Sequence, residues 1–271
     1  MRLAHFPEPA FTFLRDNWRK AEYYQSHLDY DCVKWAGEWL WRNPEFRTDL
    51  QRAPCCSRSG NFGTDGQVRI VKCTDRCPMT RWGVRCCRME SGKPVFLWSP
   101  EFSSHVLAVE VEVAMDAKNS IDLRQCNLLV TALHDAEQEL NLLFSDGART
   151  LQVILRGASS LEGRFLPRCT LRGAHEFENK PLSLQRLCCL YKRGRLAKSL
   201  YPGEQRSRRW IDMLRACDGL QSGARHREIG AAIFGEWAAG DGWNSGYRTR
   251  VQRLIHSARK MVEGGYLNLL L

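Results

Sequence analysis

The chain has 271 residues, 44% of them hydrophobic, and nine tryptophans, a composition typical of a folded protein rather than a disordered one. No uninterrupted apolar run approaches the roughly 18 residues that a membrane span needs. Pro7, Glu8 and Pro9 interrupt the segment where a signal peptide would carry its apolar core. We therefore expect a cytoplasmic protein without a membrane partner, long enough for two modest domains.

The net charge of +10 is concentrated towards the C-terminus. Residues 184–271 contain 16 Lys and Arg against 7 Asp and Glu, a net charge of +9, whereas residues 1–183 contain 24 against 23, a net charge of +1. Charge this segregated favours contact between the C-terminal third and a polyanion. A solvated basic face without a partner is the alternative.

Twelve cysteines, in a chain of this size without an export signal, favour reduced thiols over disulfides. The pattern contains three adjacent pairs and one C-x3-C spacing: Cys55-Cys56, Cys86-Cys87, Cys188-Cys189, and Cys73 with Cys77. Adjacent side chains diverge and rarely share one tetrahedral zinc ion. We expect buried thiols, no metal and no cofactor, with a zinc site as the weaker alternative.

Residues 16–50 have an aromatic, helical pattern. Asp31 can cap a helix, and Asn43-Pro44 ends or redirects it. The tryptophans of this segment are predicted to form a small core: Trp18, Trp35, Trp39 and Trp41. A base-stacking platform is the alternative, although few basic residues lie near them in sequence.

The middle of the chain is predicted to be a small antiparallel sheet over residues 93–170, after a turn-rich, largely loop segment at residues 51–75. Strands are predicted in TRWGVRCC, KPVFLWSP and HVLAVEVEVAM. A hairpin is predicted at Ser145-Asp146-Gly147, where Asp-Gly separates two apolar runs. His134 and Asp135 are adjacent but have no nucleophile placed beside them, so we expect no enzymatic activity.

Four helices are predicted after Pro181. The first ends at Gly194, and the second has Pro202 and Glu204 in its first turn and ends at Gly219. The third, residues 224–234, is capped by Ser222 and ended by Gly235. The fourth runs from Asn244 or Ser245 to Val262, and Gly264-Gly265 stops it.

The last two helices have the pattern of a helix-turn-helix. Ala231 and Ala232 are small enough to let a neighbouring helix approach. The longer helix has one apolar face, formed by Tyr247, Val251, Leu254, Ala258 and Met261, and five Lys or Arg with no acid between residues 245 and 262. The connection of about nine residues exceeds the usual three or four. A helical bundle with a solvated basic face is the alternative.

Arginine suits DNA because its planar, permanently charged guanidinium can bond two acceptors on guanine. Arg250 and Arg253 are predicted to be best placed for bases. Helix N-termini attract phosphate, so the arginines at the start of the shorter helix are further candidates for DNA contact. The candidate DNA contacts are Arg248, Arg250, Arg253, Arg259 and Lys260 in the longer helix, Arg225 and Arg227 in the shorter, and Arg206, Arg208 and Arg209 upstream.

The C-terminal sequence resembles a domain, long catalogued as of unknown function, of a proteobacterial transcriptional-regulator family. The similar elements are LRACDG at residues 214–219, REI at 227–229, IFG at 233–235 and GGY at 264–266. WAGEWLWRNPEFR, residues 35–47, resembles a companion N-terminal module with a pattern like WAWEFLRRNP, and RWGV at 81–84 fits the Trp-Gly-Leu that follows it. The chain differs from the family in its Cys-rich middle and in WAAGDGW between the helices.

This resemblance implies a variant helix-turn-helix and a role in transcription control. The family includes activators of excision and transfer genes on integrative and conjugative elements, and shorter anti-activators that bind an activator instead of DNA. It implies no catalytic residues. The partners it implies are double-stranded DNA, with RNA polymerase or a regulator protein as further candidates, and a nucleoid-associated location.

The sequence therefore predicts an α+β protein with three regions. These are an aromatic helical module with a Cys-rich loop at residues 1–90, a β region at 91–180 and a helix-turn-helix-like domain at 181–271. The first hypothesis is a DNA-binding regulator, expected to be an activator of mobile-element genes. The alternatives are a protein-binding anti-activator and a zinc-dependent enzyme that uses the central cysteines.

Overall fold

The computed structural model describes residues 17–52, 56–62, 68–73, 78–90, 93–113, 121–122, 128–134, 139–157 and 164–271. Within these ranges the chain combines a β-sheet with helices at both ends, which confirms the predicted α+β class. No helix in these ranges has the length and apolarity needed to cross a bilayer.

The strands build one large sheet and one hairpin. Their bounds are β1 (Cys56–Phe62), β2 (Val68–Cys73), β3 (Val84–Glu90), β4 (Lys93–Trp98), β5 (Leu107–Val113), β6 (Ile121–Asp122), β7 (Leu129–His134), β8 (Leu140–Ser145), β9 (Thr150–Arg156) and β10 (Arg164–Arg168). The large sheet has the strand order β1-β2-β7-β8-β9-β5-β10-β6, and β3 pairs with β4. The predicted hairpin at Ser145-Asp146-Gly147 joins β8 to β9, with Gly147 at a φ of +85°.

The central sheet is mostly antiparallel, as predicted, but β2 pairs with β7 and β5 with β9 in parallel. The prediction that residues 51–75 are largely loop is wrong for β1 and β2. The sequence of β1, CSRSGNF, has no apolar alternation, and its strand form comes from its ladder with β2, which contains an irregularity between Arg58 and Gly60. Strand pairing here overrides local propensity.

Both faces of the sheet are covered, which explains why every residue of β8 is buried. One face packs against a helix at residues 181–193 through Leu190, with Leu184 and Leu187 beside it. On the other face Leu133 and Leu143 meet Cys86 of β3 and Leu97 of β4. The apolar residues of the middle region therefore form a core on each face of the sheet, between the sheet and the layer that covers that face.

In chain order, the α-helices come either before β1 or after β10. They are α1 (Cys32–Trp41), α2 (Pro44–Arg52), α3 (Gly173–Asn179), α4 (Pro181–Arg193), α5 (Ser207–Gln221), α6 (His226–Phe234), α7 (Glu236–Ala239) and α8 (Tyr247–Val262), with 3-10 turns at Ala21–Asp29, Pro78–Trp82, Lys198–Leu200, Trp243–Ser245 and Gly265–Leu269. Gly194 ends α4 in the left-handed region, as predicted.

Contacts group the chain into two compact units. One contains residues 1–47, 89–94 and 202–269, so the N-terminal helix α1 shares a unit with α5, α6 and α8; the other contains residues 48–88, 95–201 and 270–271. Grouping by contact does not show where an independent module begins. The boundaries proposed at residues 90/91 and 180/181 therefore stay predictions.

The tryptophan core predicted near the N-terminus is confirmed and is larger than expected. Trp18, Trp35 and Trp39 are fully buried, and Trp41 is half-buried against Phe46. Trp210 of α5 completes the cluster, with its ring centroid 5.1 Å from that of Trp35. A base-stacking role for Trp18, Trp35 and Trp39 is therefore excluded, because a buried ring cannot stack on a base.

The ends of α1 and α2 follow the sequence closely. Asp31 caps α1 by accepting the backbone N–H of Lys34 at 3.1 Å. Asn43 ends that helix and caps the next one, because its Oδ1 accepts the N–H groups of Glu45 and Phe46. Its amide also donates to the carbonyl of Val262 at 3.0 Å, which joins the N-terminal helices to the end of α8.

The predicted bounds of α5 and α6 need correction. Glu204 lies before α5 rather than in its first turn, because its carboxylate accepts both the backbone N–H and the guanidinium of Arg206. Gly219 lies inside α5 instead of ending it. Ser222 does not cap α6, because its hydroxyl donates back to the carbonyl of Gly219 at 2.7 Å and so closes α5.

Candidate nucleic-acid interface

Three helices, α5, α6 and α8, pack against one another in pairs. The buried side of α8 is formed by Val251, Leu254, Ile255, Ala258 and Val262. This confirms the predicted apolar face of α8. Ile255 and Val262 are added to it, whereas Tyr247 and Met261 are only half-buried. The arrangement is a supporting helix, a short helix and a longer basic helix.

The connection between α6 and α8 is longer than predicted. It runs over residues 235–246 and contains α7 and a 3-10 turn at Trp243–Ser245. Gly246, with a φ of +107°, precedes α8 in place of the predicted Asn244 or Ser245 cap. Trp237 of α7 is 61% exposed and lies edge-on to Tyr247 with ring centroids 5.6 Å apart.

Glycine rather than alanine provides the closest packing in this region. Ala231 and Ala232 are half-buried, and the carbonyl of Ala232 accepts a hydrogen bond from Arg215 of α5 at 2.7 Å, so their predicted role in helix packing stays a prediction. A Cβ on Gly230 would lie 2.9 Å from Cζ3 of Trp243, and one on Gly219 would lie 3.0 Å from the ring of Trp18. Small residues are needed here because each faces an indole ring.

We predict that Gly230→Ala lowers the free energy of unfolding by about 1–2 kcal/mol, as overpacking usually costs more than the roughly 1 kcal/mol that alanine gains over glycine in a helix. Thermal and urea unfolding of the full chain measure this. Combining the change with Trp243→Phe should restore part of the loss, because the shorter ring removes the clashing atom. A stabilised Gly230→Ala protein would contradict the close approach.

All five predicted contacts of α8 are exposed. At 3.6 residues per turn they fall in two rows at opposite edges of the solvent side, roughly 100–140° apart around the helix, with Thr249, Gln252 and His256 between them. One row has Arg250, Arg253 and Lys260, and the other has Arg248 and Arg259. Within residues 247–262 no acidic side chain interrupts either row. The structure thus places all five cations on the exposed side of α8, which we call the α8 basic face.

Two arginines at this end of the domain are held over aromatic rings. The guanidinium of Arg250 lies 4.8 Å from the ring centroid of Tyr247, and that of Arg227 lies 5.8 Å from the ring centroid of Trp243. Cation–π contacts of this kind are attractive and restrict a flexible side chain. Arg250 is therefore partly positioned before any ligand binds.

Arg225 and Arg227 are exposed at the start of α6, as predicted. A carboxylate already occupies that helix end, because Glu228 accepts the backbone N–H of Arg225 at 2.7 Å. Glu228 also pairs with Arg19 at 3.2 Å. A phosphate approaching this N-terminus would meet a negative charge beside the two arginines, so the attraction is weaker than the sequence alone implies.

The three upstream arginines differ from one another. Arg208 and Arg209 are exposed in the first turn of α5. Arg206 is also exposed, but its guanidinium is bound by Glu204 at 2.9 Å and lies 4.6 Å from the ring centroid of Trp210. The hydrogen bond that Arg206 donates to Glu204 raises the pKa of Arg206, so its charge is permanent and already compensated.

A buried ion pair between Arg42 and Asp218 joins the N-terminal segment to α5 and so supports the packing of the three helices. Sequence analysis did not predict this pair. Arg42 and Asp218 are both fully buried. Arg42 donates from Nε to Oδ1 of Asp218 at 2.7 Å and from Nη2 to Oδ2 at 2.9 Å, and the hydroxyl of Tyr24 donates to the same Oδ2 at 2.6 Å. Burial opposes the charge on Arg42, but Asp218 and Glu38 raise its pKa well above the usual value.

A second buried arginine ties the same parts together through carbonyl groups. Arg215 of α5 donates to the carbonyls of Trp18 at 3.0 Å, Arg19 at 2.6 Å and Ala232 at 2.7 Å. Burial lowers the pKa of Arg215, while Asp212 opposes that effect. These bonds join the N-terminal segment, α5 and α6 into one unit.

The signal for both clusters was present in the sequence motifs. Arg42 and Asn43 belong to the WRNP element, and Arg215, Asp218 and Gly219 belong to LRACDG. Sequence analysis treated these elements as marks of resemblance and not as interacting partners. The structure gives them a physical role, because Arg42 of the first element bonds to Asp218 of the second.

Among the described side chains no three His, Cys, Asp or Glu come together as a metal site. Cys86 and Cys87 are buried, whereas Cys188 is exposed and Cys189 half-buried. The side chains of Cys55, Cys56, Cys73 and Cys77, and the His134-Asp135 pair, lie outside the described part of the chain. The prediction made for them is not tested.

Comparison with known proteins gives one family match, in the C-terminal part of the chain. Residues 176–271 match the family model RovC_DNA-bd, described as a type VI secretion system (T6SS) transcription factor, DNA-binding domain. No curated protein matches the chain. The family match supports a C-terminal DNA-binding domain of a transcription regulator, a class of domain that is not enzymatic.

Proposed function

We propose that this chain regulates transcription by binding duplex DNA through the α8 basic face, as an activator of excision or transfer genes of a mobile element. The observation that carries the proposal is the continuous exposure of five cations along one helix of a domain matched to DNA-binding transcription factors. The T6SS named in the family description adds promoters of secretion genes as a second class of target. RNA polymerase or another regulator is proposed as a protein partner.

The proposed docking places α8 in the major groove, as in a helix-turn-helix. Arg250 and Arg253 are proposed to read bases, because they are neighbours one turn apart and lie farthest from acidic groups along the chain. Arg248, Arg259 and Lys260 are proposed to hold phosphates on either side. Arg225, Arg227, Arg208 and Arg209 would add backbone contacts, with Arg206 the weakest because Glu204 compensates it.

The alternative is an anti-activator that binds a regulator protein and not DNA. The exposure of Trp237, beside the half-buried Tyr247 and Phe234, favours this second function, since exposed aromatic side chains are enriched at protein interfaces. An acidic partner would also complement the α8 basic face. Such a protein would bind its partner without forming a salt-sensitive complex with DNA.

The test is fluorescence anisotropy of labelled promoter DNA from the chain's own and neighbouring genes, titrated with salt and with an unrelated competitor. We expect binding that survives competitor, with a log–log salt slope of about −2.7 if Arg248, Arg259 and Lys260 each neutralise one phosphate at roughly 0.9 per contact. Weak binding that salt and competitor abolish alike would contradict a sequence-specific regulator and favour the protein-binding alternative.

A further inference from the structure

Thr249 lies on the side of α8 that points away from the protein core. The buried side of this helix is centred near Ala258, which is 1% exposed. The two positions are nine residues apart, about two and a half turns, so Thr249 lies on the side opposite Ala258. Thr249 is exposed and belongs to the first turn of the helix. Its side chain therefore faces whatever α8 meets in solution.

The helix itself does not require a threonine at this position. The hydroxyl of Thr249 makes no hydrogen bond within the described part of the chain. Gly246, and not a hydroxyl side chain, precedes α8 at its N-terminus. Threonine is also a poorer helix former than alanine, because its branched side chain loses freedom against the preceding turn. Both polar and apolar groups of Thr249 are thus available to a ligand.

The two rows of the α8 basic face lie on either side of Thr249 around the helix. A helix with its side chains is about 10–12 Å across and the major groove is about 12 Å wide, so a docked α8 fills the groove. Long cationic side chains at its two edges then reach the two phosphate backbones, and a short side chain between them lets the helix approach the bases. The N-terminal residues of a recognition helix are those that contact base edges.

We propose that Thr249 reads a thymine in the major groove, an inference that rests on the proposed binding of α8 to DNA. Among the four bases, thymine alone displays a methyl group in that groove, beside its O4 acceptor. The Cγ2 methyl of Thr249 packs on the 5-methyl group of thymine, and the hydroxyl donates to O4. Cytosine has no methyl group at this place and is therefore bound less well.

The position of Arg253 adds a spacing to this assignment. Arg253 lies one turn after Thr249 on nearly the same side, roughly 40° away around the helix and about 6 Å along it. Base pairs stack at intervals of about 3.4 Å, so the two side chains meet bases about two pairs apart. Arginine prefers guanine, whose O6 and N7 accept two of its N–H groups. The recognised sequence should therefore contain a thymine about two base pairs from a guanine.

The test removes the two methyl groups separately. The probe is the promoter fragment that the full chain binds in the anisotropy titration, with each thymine replaced in turn by uracil, which lacks only the 5-methyl group. We expect at least one thymine whose replacement weakens wild-type binding about 3- to 5-fold, the effect of one buried methyl group. Thr249→Ser removes the methyl group of the protein, so the same replacement should then have no further effect.

Thr249→Val is the matched control, since it keeps the branched methyl group and loses only the hydroxyl. It should stay sensitive to uracil at the same position. Both variants should keep the wild-type unfolding midpoint, because the position is exposed. The spacing is measured with 7-deazaguanine, which lacks the N7 acceptor. Its use about two base pairs from the sensitive thymine should weaken wild-type binding but have no further effect on Arg253→Ala.

The outcomes separate this inference from the proposed function. Specific promoter binding without a uracil-sensitive thymine, or with a sensitivity that Thr249→Ser keeps, would overturn the thymine contact and leave DNA binding in place. A sensitivity that Thr249→Val loses would overturn the contact between methyl groups. A sensitive guanine far from the thymine would overturn the spacing. Absence of specific promoter binding by the wild-type chain would be a failure of the proposed function, and the inference would fail with it.

Discussion

Asp218→Ala is expected to lower the free energy of unfolding by about 3–5 kcal/mol, because it leaves Arg42 charged and fully buried without its main partner. The hydroxyl of Tyr24 loses its acceptor in the same step. Tryptophan fluorescence during urea unfolding measures the effect, since the buried Trp18, Trp35 and Trp39 lie in the same compact unit as Asp218.

Asp212→Ala is the matched control. Asp212 lies on the same helix, but its side chain is 40% exposed and its contact with Arg215 is long, at 3.9 Å. We expect it to cost less than about 1 kcal/mol, because Asp212 is partly exposed and the buried Arg215 keeps its bonds to three carbonyl groups. Replacing the whole pair, as Arg42→Met with Asp218→Leu, should cost less than Asp218→Ala alone, since the buried cation is removed with its partner and Glu38 keeps His27 at 3.5 Å. If Asp218→Ala were as mild as Asp212→Ala, the buried pair would not support the domain.

Residues of the N-terminal segment also support the helices of the proposed DNA interface. Arg42 and Asn43 come from the N-terminal segment, yet they hold α5 through Asp218 and the end of α8 through Val262. The family model begins at residue 176 and so includes α5, α6 and α8 but not these partners. The C-terminal domain of this chain is therefore completed by residues far away in sequence.

Local patterns predicted the elements whose form depends on nearby residues. The cap at Asp31, the turn at Asn43-Pro44, the Ser145-Asp146-Gly147 hairpin and the Gly194 end of α4 were all readable, because each uses hydrogen bonds or dihedrals within a few residues. The apolar face of α8 was readable for the same reason, since its spacing is that of the helix itself.

Long-range contacts could not be read in this way. Strand β1 has a turn-like sequence and is specified by β2, and the parallel pairings depend on strands far apart in the chain. Gly219 looked like a helix end because glycine is common there, but a ring from Trp18, about 200 residues away, requires it. Likewise, no spacing rule pairs Arg42 with Asp218.

Sequence analysis predicted which arginines of the candidate interface are exposed, but not the contacts that some of them make with acidic side chains. The exposure of Arg248, Arg250 and Arg253 follows from helical spacing, so sequence sufficed. Glu228 at the front of α6 and Glu204 beside Arg206 were visible in the sequence as acids but not as partners. Their contacts reduce what those arginines can offer a phosphate, which makes α8 the main candidate surface.

Arg250→Ala with Arg253→Ala is expected to remove about 2–6 kcal/mol of specific DNA binding, if each side chain reads a base at roughly 1–3 kcal/mol. Both side chains are exposed, so the fold should be unaffected, and the unfolding midpoint checks this. The measurement is the ratio of the Kd for promoter DNA to the Kd for unrelated DNA at one fixed salt concentration.

Arg248→Ala with Arg259→Ala is the matched variant, since it removes two charges from the second row of the same helix. If these two hold phosphates, specific and unrelated DNA should weaken alike, and the salt slope should fall by about 1.8. The first variant should instead lose the ratio between the two DNAs, because the base contacts give the specificity. Equal loss of that ratio in both variants would show that the row containing Arg250 and Arg253 does not face the bases, and α8 would then have to be turned about its axis in any docking to the groove.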